Sequence, residues 1–135
     1  MCLDRFLLDL ETEFEELCWR ESPRRLRVDH VFRLQNQRKN CEAAIARCES
    51  AIAHLNACIS ECEQLETHLS ERVPIYLHVG DRQNAWQLAL ELDQLRSKIS
   101  NLRREISLQN QVRNAEADKL EQLEEDISSA QMAPH

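Results

Sequence analysis

His54, Cys58 and Cys62 stand at i, i+4 and i+8, so a helix through them presents one imidazole and two thiols on a single face. These are zinc-type ligands, and a fourth donor from elsewhere would complete a tetrahedral site. Strong zinc motifs pair two closely spaced ligand sets, however, and no second set accompanies this one. Cys62 also falls on an apolar helical repeat, with Cys58 beside it, and a cysteine in such a place acts as a small hydrophobe. The three are therefore read as structural, and no metal and no cofactor is expected. Cys41 and Cys48 lie on the same repeat. With no secretory signal and few loops to staple, the six cysteines are expected to be reduced thiols.

Other catalytic signals are missing from the pattern. There is no Gly-rich phosphate loop, no nucleophile elbow and no HExxH. The carboxylates are spread as solvated helix faces usually are. His30 and His78 read as surface or corner residues. Two long helices by themselves offer no concave pocket that excludes water, so no catalytic residue is named and an enzyme is not expected. A net charge of −7 argues against nucleic-acid binding, which depends on neutralising phosphates with Lys and Arg.

The elements that carry these residues are long helices. One Gly and three Pro in 135 residues leave few places to turn, and Ala, Leu, Glu, Gln and Arg favour helix. From residue 31 to 69, Val31, Leu34, Cys41, Ile45, Cys48, Ile52, Leu55, Ile59, Cys62 and Leu69 recur in steps of three and four, interrupted by Arg38 and Glu66. That is a coiled-coil seam of about five heptads. Leu88, Leu92, Leu95, Ile99, Leu102 and Ile106 repeat the pattern. At Gln109, Arg113 and Glu116 the phase is disturbed, and Leu108, Val112 and Ala115 are expected to take over until Leu120, Leu123 and Ile127 resume it.

The single glycine, Gly80, suits the left-handed residue that closes a helix, and Asp81 is a good cap for the next. Pro74 predicts a kinked or irregular last turn or two before it. Ser22 and Pro23 form a helix start. The expected architecture is therefore all-α: a long antiparallel two-helix coiled-coil hairpin over residues 22–130, preceded by a short amphipathic helix over 1–21. The arms are 22–79 and 82–130, each roughly 75 Å long at 1.5 Å per residue, with the corner at 80–81. Residues 131–135 are expected to be a disordered tail. Near the corner Leu55, Ile59, Cys62, Leu88, Leu92, Leu95 and Ile99 form the hairpin core. Charges agree with antiparallel pairing. Arg24, Arg25, Arg27, Arg33, Arg38 and Lys39 would approach Glu116, Asp118, Glu121, Glu124, Glu125 and Asp126, and Glu61, Glu63 and Glu66 would face Arg96 and Lys98. The same complementarity also fits two chains pairing as an antiparallel dimer.

Residues 1–21 place Leu3, Phe6, Leu7, Leu10, Phe14, Leu17 and Cys18 at helical spacing, opposite Asp4, Asp9, Glu11, Glu15 and Glu16. Those carboxylates interrupt the apolar run a signal peptide needs, and no stretch approaches the roughly 20 apolar residues of a bilayer span. A cytoplasmic protein, at most peripheral to a membrane, is expected.

The opening "MCLDRF", the break at "ESPRRL", the corner "VGDRQNAWQLALELDQLRSKI" and the helices between resemble the phage-shock protein A family, relatives of the vesicle-inducing protein of plastids within the ESCRT-III superfamily. Pro23 and Arg82 keep the family's spacing, with Gly80, Ala85 and Ala89 the clearest matches, while Leu88-Ala89 reverses a more typical Ala-Leu order. The resemblance implies a stress-response scaffold: hairpins stack into a homo-oligomer, alone or with family relatives, and the first helix lies in the inner face of a membrane through Leu3, Phe6, Leu7, Leu10, Phe14 and Leu17. It also implies a rival role, a soluble coiled-coil adaptor that inhibits an AAA+ transcription activator. The later helices with which family members grip their neighbours are not within these 135 residues, which favours the rival. The first helix is also more acidic than the family pattern, with six carboxylates against Arg5 and Arg20 in its first twenty residues. Its apolar face would alternatively pack on the hairpin or on another subunit.

Overall fold

A computed structural model of the chain describes Leu10 and residues 23–132. Two long helices account for nearly all of them: α1, Pro23–His78, of 56 residues, and α2, Arg82–Met132, of 51. Among the described residues there is no strand. The helices are antiparallel and pair within one chain. Glu66 Oε1 accepts a hydrogen bond from Arg96 Nε at 3.1 Å, and Glu63 Oε1 one from Arg103 Nη2 at 2.9 Å, so a step back along α1 matches a step forward along α2. Both pairs reach solvent, Glu66 being half-buried, and such pairs are worth about 0–1 kcal/mol each; they report register more than they supply stability.

The corner shows why one glycine suffices. Gly80 has φ +83°, and no atom lies within 4 Å of where a Cβ would stand, so backbone conformation alone demands glycine. Its N–H donates to the Leu77 carbonyl at 3.2 Å, and the Asp81 N–H to the Tyr76 carbonyl at 2.9 Å. This is the double closure of a Schellman motif, which satisfies carbonyls that the end of α1 leaves open. Asp81 then caps α2. Its Oδ1 accepts from the Asn84 N–H at 3.2 Å and its Oδ2 from the Asn84 side-chain amide at 2.7 Å.

Two local expectations are corrected here. The irregular turn ahead of Gly80 is not found, because α1 is continuous through Pro74 to His78. Pro74 removes one N–H, that facing the Ser70 carbonyl, and the helix still runs on to His78, with Val79 N–H donating to Ile75 O at 3.2 Å beyond it. The tail also begins later than residue 131, since Gln131 and Met132 belong to α2. Nothing from Ser128 to Met132 breaks a helix, and residues 133–135 of the expected tail lie outside the described residues.

The chain divides into two compact units, residues 1–42 with 118–135, and residues 43–117. In the second unit Ile59, Cys62 and Ile99 form a buried cluster flanked by Leu95, Leu102 and Ile106. Leu69, Ala85 and Leu88 are buried nearer the corner, and Cys48 towards the other end. In the first unit Leu34, Cys41 and Ile127 are the buried residues. Each Ile or Leu taken fully out of water stabilises the pairing by about 1.5–3 kcal/mol. No polar or charged residue among those described is fully buried.

The seam itself holds one phase along all of α2, which overturns the expected hand-over. Leu108 and Val112 are 54% and 51% exposed, and Ala115 is exposed, whereas Gln109, Arg113 and Glu116 are half-buried in seam positions. Ile99 and Ile127, both buried, stand in the same heptad phase as Gln109, Arg113 and Glu116. The register set by Glu63 and Arg103 brings Arg113, ten residues further on, level with Ala53, ten residues back. A half-buried arginine can cover apolar surface with its methylenes while its charge stays in water. On α1, Arg38 does something similar. It is half-buried, and its Nε lies 3.8 Å from Glu42 on the same helix, with no hydrogen-bond partner.

Candidate interaction surfaces

His54 and Cys58 do approach one another, with Sγ and Nε2 3.8 Å apart on neighbouring turns of α1. Cys62, the third member of the sequence pattern, is buried in the cluster with Ile59 and Ile99 instead. His54 is exposed and Cys62 faces the seam, so the i+8 spacing, which rotates a residue by a further few tens of degrees around the helix, has turned the last sulfur inward. Among the described residues no group of three His, Cys, Asp or Glu side chains is placed to hold a metal ion. Cys48, Cys58 and Cys62 are free thiols.

The hairpin-core residues named from sequence lie along the helix–helix seam. Ile59, Cys62, Leu88 and Ile99 are buried, and Leu55, Leu92 and Leu95 are half-buried. Gly80 and Asp81 form the corner. Of the residues named for membrane contact, Leu3, Phe6, Leu7, Phe14 and Leu17 lie outside the described residues, and Leu10 is helical and 50% exposed. No described helix is long and apolar enough to cross a membrane.

What remains is surface, and two parts of it are apolar. Around the corner Ile75, Leu77, Val79 and Trp86 are all exposed, Trp86 by 68%, with Leu90 one turn beyond Trp86 on the same face. Nearby on α1 the Arg72 guanidinium lies 5.7 Å from the Tyr76 ring centre, and its Nη2 donates to the Tyr76 hydroxyl at 3.0 Å. These exposed residues escaped the sequence reading, although a signal was present. These residues are apolar yet out of phase with both seams, and off-seam apolar residues gathered on either side of one turn must share one end of a hairpin. The second part lies in the other unit, where Arg24, Arg27, Val28, Val31, Phe32 and Gln35 of α1 face Ala130 and Gln131 of α2 across a shallow groove. Val28 and Phe32, one turn apart, are each 61% exposed.

Comparison with family models, curated proteins and solved structures returns no match. The functional reading therefore rests on the residues themselves.

Proposed function

We propose that this chain is a non-catalytic, membrane-associated scaffold of the ESCRT-III type, in which hairpins associate side by side and residues 1–21 supply the bilayer contact. The observation that carries the reading is apolar surface left outside the hairpin's own seam. Leu65, Leu90, Leu108 and Val112 are exposed along the helices although the seam offered a place to bury apolar side chains, and a lateral neighbour would cover them. The amphipathic spacing of residues 1–21 supports the membrane part. Its carboxylates argue for packing defects and curved bilayers over anionic headgroups, because basic residues are what draw an interfacial helix to negative lipid. Flotation with small zwitterionic vesicles tests this, with the protein rising with the lipid and staying bound in high salt. Protein that stays at the bottom of the gradient with every vesicle composition refutes the membrane role.

The apolar corner favours a second reading, a coiled-coil adaptor that docks its tip on a protein partner such as an AAA+ transcription activator. Trp86 and Val79 would then be the anchors, since large exposed aromatic and aliphatic groups dominate such interfaces. In this case the activator's ATPase rate falls when the hairpin is added, Trp86→Ala abolishes the effect, and flotation is negative.

A further inference from the structure

Cys58 differs from the other described cysteines in its position. Cys41, Cys48 and Cys62 are buried on the seam, whereas Cys58 is half-buried at its edge. Its Sγ lies 3.8 Å from Nε2 of His54, an exposed residue one turn back. A helix stacks side chains at i and i+4 one above the other, the spacing at which two ligands on one helix share a metal ion. Zinc bonded to sulfur at about 2.3 Å and to nitrogen at about 2.0–2.1 Å holds the two donors about 3.5 Å apart at a tetrahedral angle. The observed separation corresponds to an angle opened to about 120°, so small rotamer adjustments bring the pair to chelating distance.

Two donors are half of a closed zinc site, which takes four. The hairpin does not bring the rest: Cys62 faces the seam, and among the described residues no third His, Cys, Asp or Glu is grouped with the pair. The donors sit on an edge that leaves apolar side chains uncovered. Leu65, one heptad beyond Cys58, lines a shallow cleft with Glu91, Gln94 and Lys98 of α2 and is 48% exposed. Val112, two heptads beyond Lys98, is 51% exposed. Seven residues return a coiled-coil helix to the same edge, so the thiol, Leu65 and Val112 share one. We propose that His54 and Cys58 are half of a metal site completed by the same two residues of a second copy, which clamps two hairpins edge to edge. A two-fold interface sets each residue near its own symmetry mate, so one pair per chain supplies all four ligands. Two thiolates and two imidazoles select zinc or a similar borderline-soft cation, whereas calcium and magnesium take oxygen ligands. Each Cys58 gives its thiol proton to solvent on binding, and the two thiolates balance the charge of the ion. The clamp needs neither a bilayer nor a stack, because two copies suffice.

The full chain, kept reduced with a phosphine and stripped of metal with a chelator, is titrated with zinc and, separately, with cobalt. One zinc binds per two chains, the mass measured by light scattering doubles, and chelator reverses both. The cobalt form shows the intense visible bands of a tetrahedral ion and the near-ultraviolet band of thiolate ligation. His54→Ala and Cys58→Ser each lose the metal and the doubling. Their far-UV circular dichroism and urea midpoints stay unchanged, because neither side chain belongs to the buried cluster. The double variant Cys2→Ser, Cys18→Ser keeps the metal, which separates this site from the thiols near the start of the chain. The proposal is overturned if stoichiometric zinc does not bind, as expected where the pair makes only an S–H···N hydrogen bond. It is overturned equally if either single variant binds zinc as tightly as the wild type, or if one ion binds per chain without a change in mass. Association that persists in chelator supports side-by-side stacking, and the metal count and cobalt spectrum then decide the site. A chain that is monomeric in chelator and pairs with zinc sinks the stacking reading alone.

Discussion

Replacing Ile99 with Ala tests which face of α2 holds the hairpin together. Ile99 is 4% exposed and sits with Ile59 and Cys62 at the centre of the buried cluster. Truncating a buried Ile to Ala costs about 2–5 kcal/mol, from the lost transfer energy and from the cavity left behind. Among the described residues α1 alone walls this site, and Leu95 and Leu102 on its flanks are half-buried, so partial collapse should keep the cost near the low end, about 2–3 kcal/mol. For a small protein with a urea dependence of about 1–3 kcal/mol per molar, that lowers the midpoint by about 1–2 M. The informative control is Val112→Ala. Val112 is half-exposed off the seam, and Ala is the better helix former, so this change should move stability by no more than about 0.5 kcal/mol. Urea titrations followed by far-UV circular dichroism on both variants decide the matter. If Val112→Ala lowers the midpoint as much as Ile99→Ala does, the seam runs through Leu108 and Val112, and the single-phase packing described for α2 is wrong.

Gly80→Ala should destabilise by about 1–2 kcal/mol and Gly80→Asn by distinctly less, because the site has room for a side chain but imposes a left-handed backbone that Asn tolerates better; thermal melts of the two variants check the order. Arg113→Leu should raise the melting temperature, by the equivalent of up to about 1 kcal/mol, since a long charged side chain in a seam position specifies register at a cost in stability. Size-exclusion chromatography of the same variant should show more self-association if Arg113 also guards against mispairing.

Helix type, helix length and the corner were legible because each has a direct chemical signature. Helix was read from the scarcity of Gly and Pro, and the seam from the recurrence of Ile59, Cys62, Leu69 and their neighbours. Gly80 followed by Asp81 fixed the turn, and the Schellman closure and Asn84 cap are the hydrogen bonds those two residues make possible. What failed was the middle of α2. There the local rule that apolar residues face inward favours Leu108 and Val112, while the heptad phase shared by the buried Ile99 and Ile127 turns Gln109, Arg113 and Glu116 inward. Local preference for burying two side chains loses to the continuity of a repeat that buries several. Cys62 was ambiguous for a related reason, since spacing along a helix shows that three ligands share a side but not whether that side is also the seam.

That same competition accounts for the surfaces on which function is proposed. Each apolar side chain the repeat could not accommodate was left outside: Leu108 and Val112 where the seam is polar, Ile75, Val79 and Trp86 where the helices end, Val28 and Phe32 where α1 begins. A hairpin needing only to fold would place polar residues at these positions at no cost to the seam, because none of them contributes to it. Their exposure is therefore a feature of sequence choice and not a by-product of pairing. Polar replacements at Val28 and Phe32, or at Val79 and Trp86, should leave the hairpin's own unfolding midpoint almost unchanged while abolishing whichever association uses that patch. Stability lost on such a replacement would mean that the patch belongs to the fold after all.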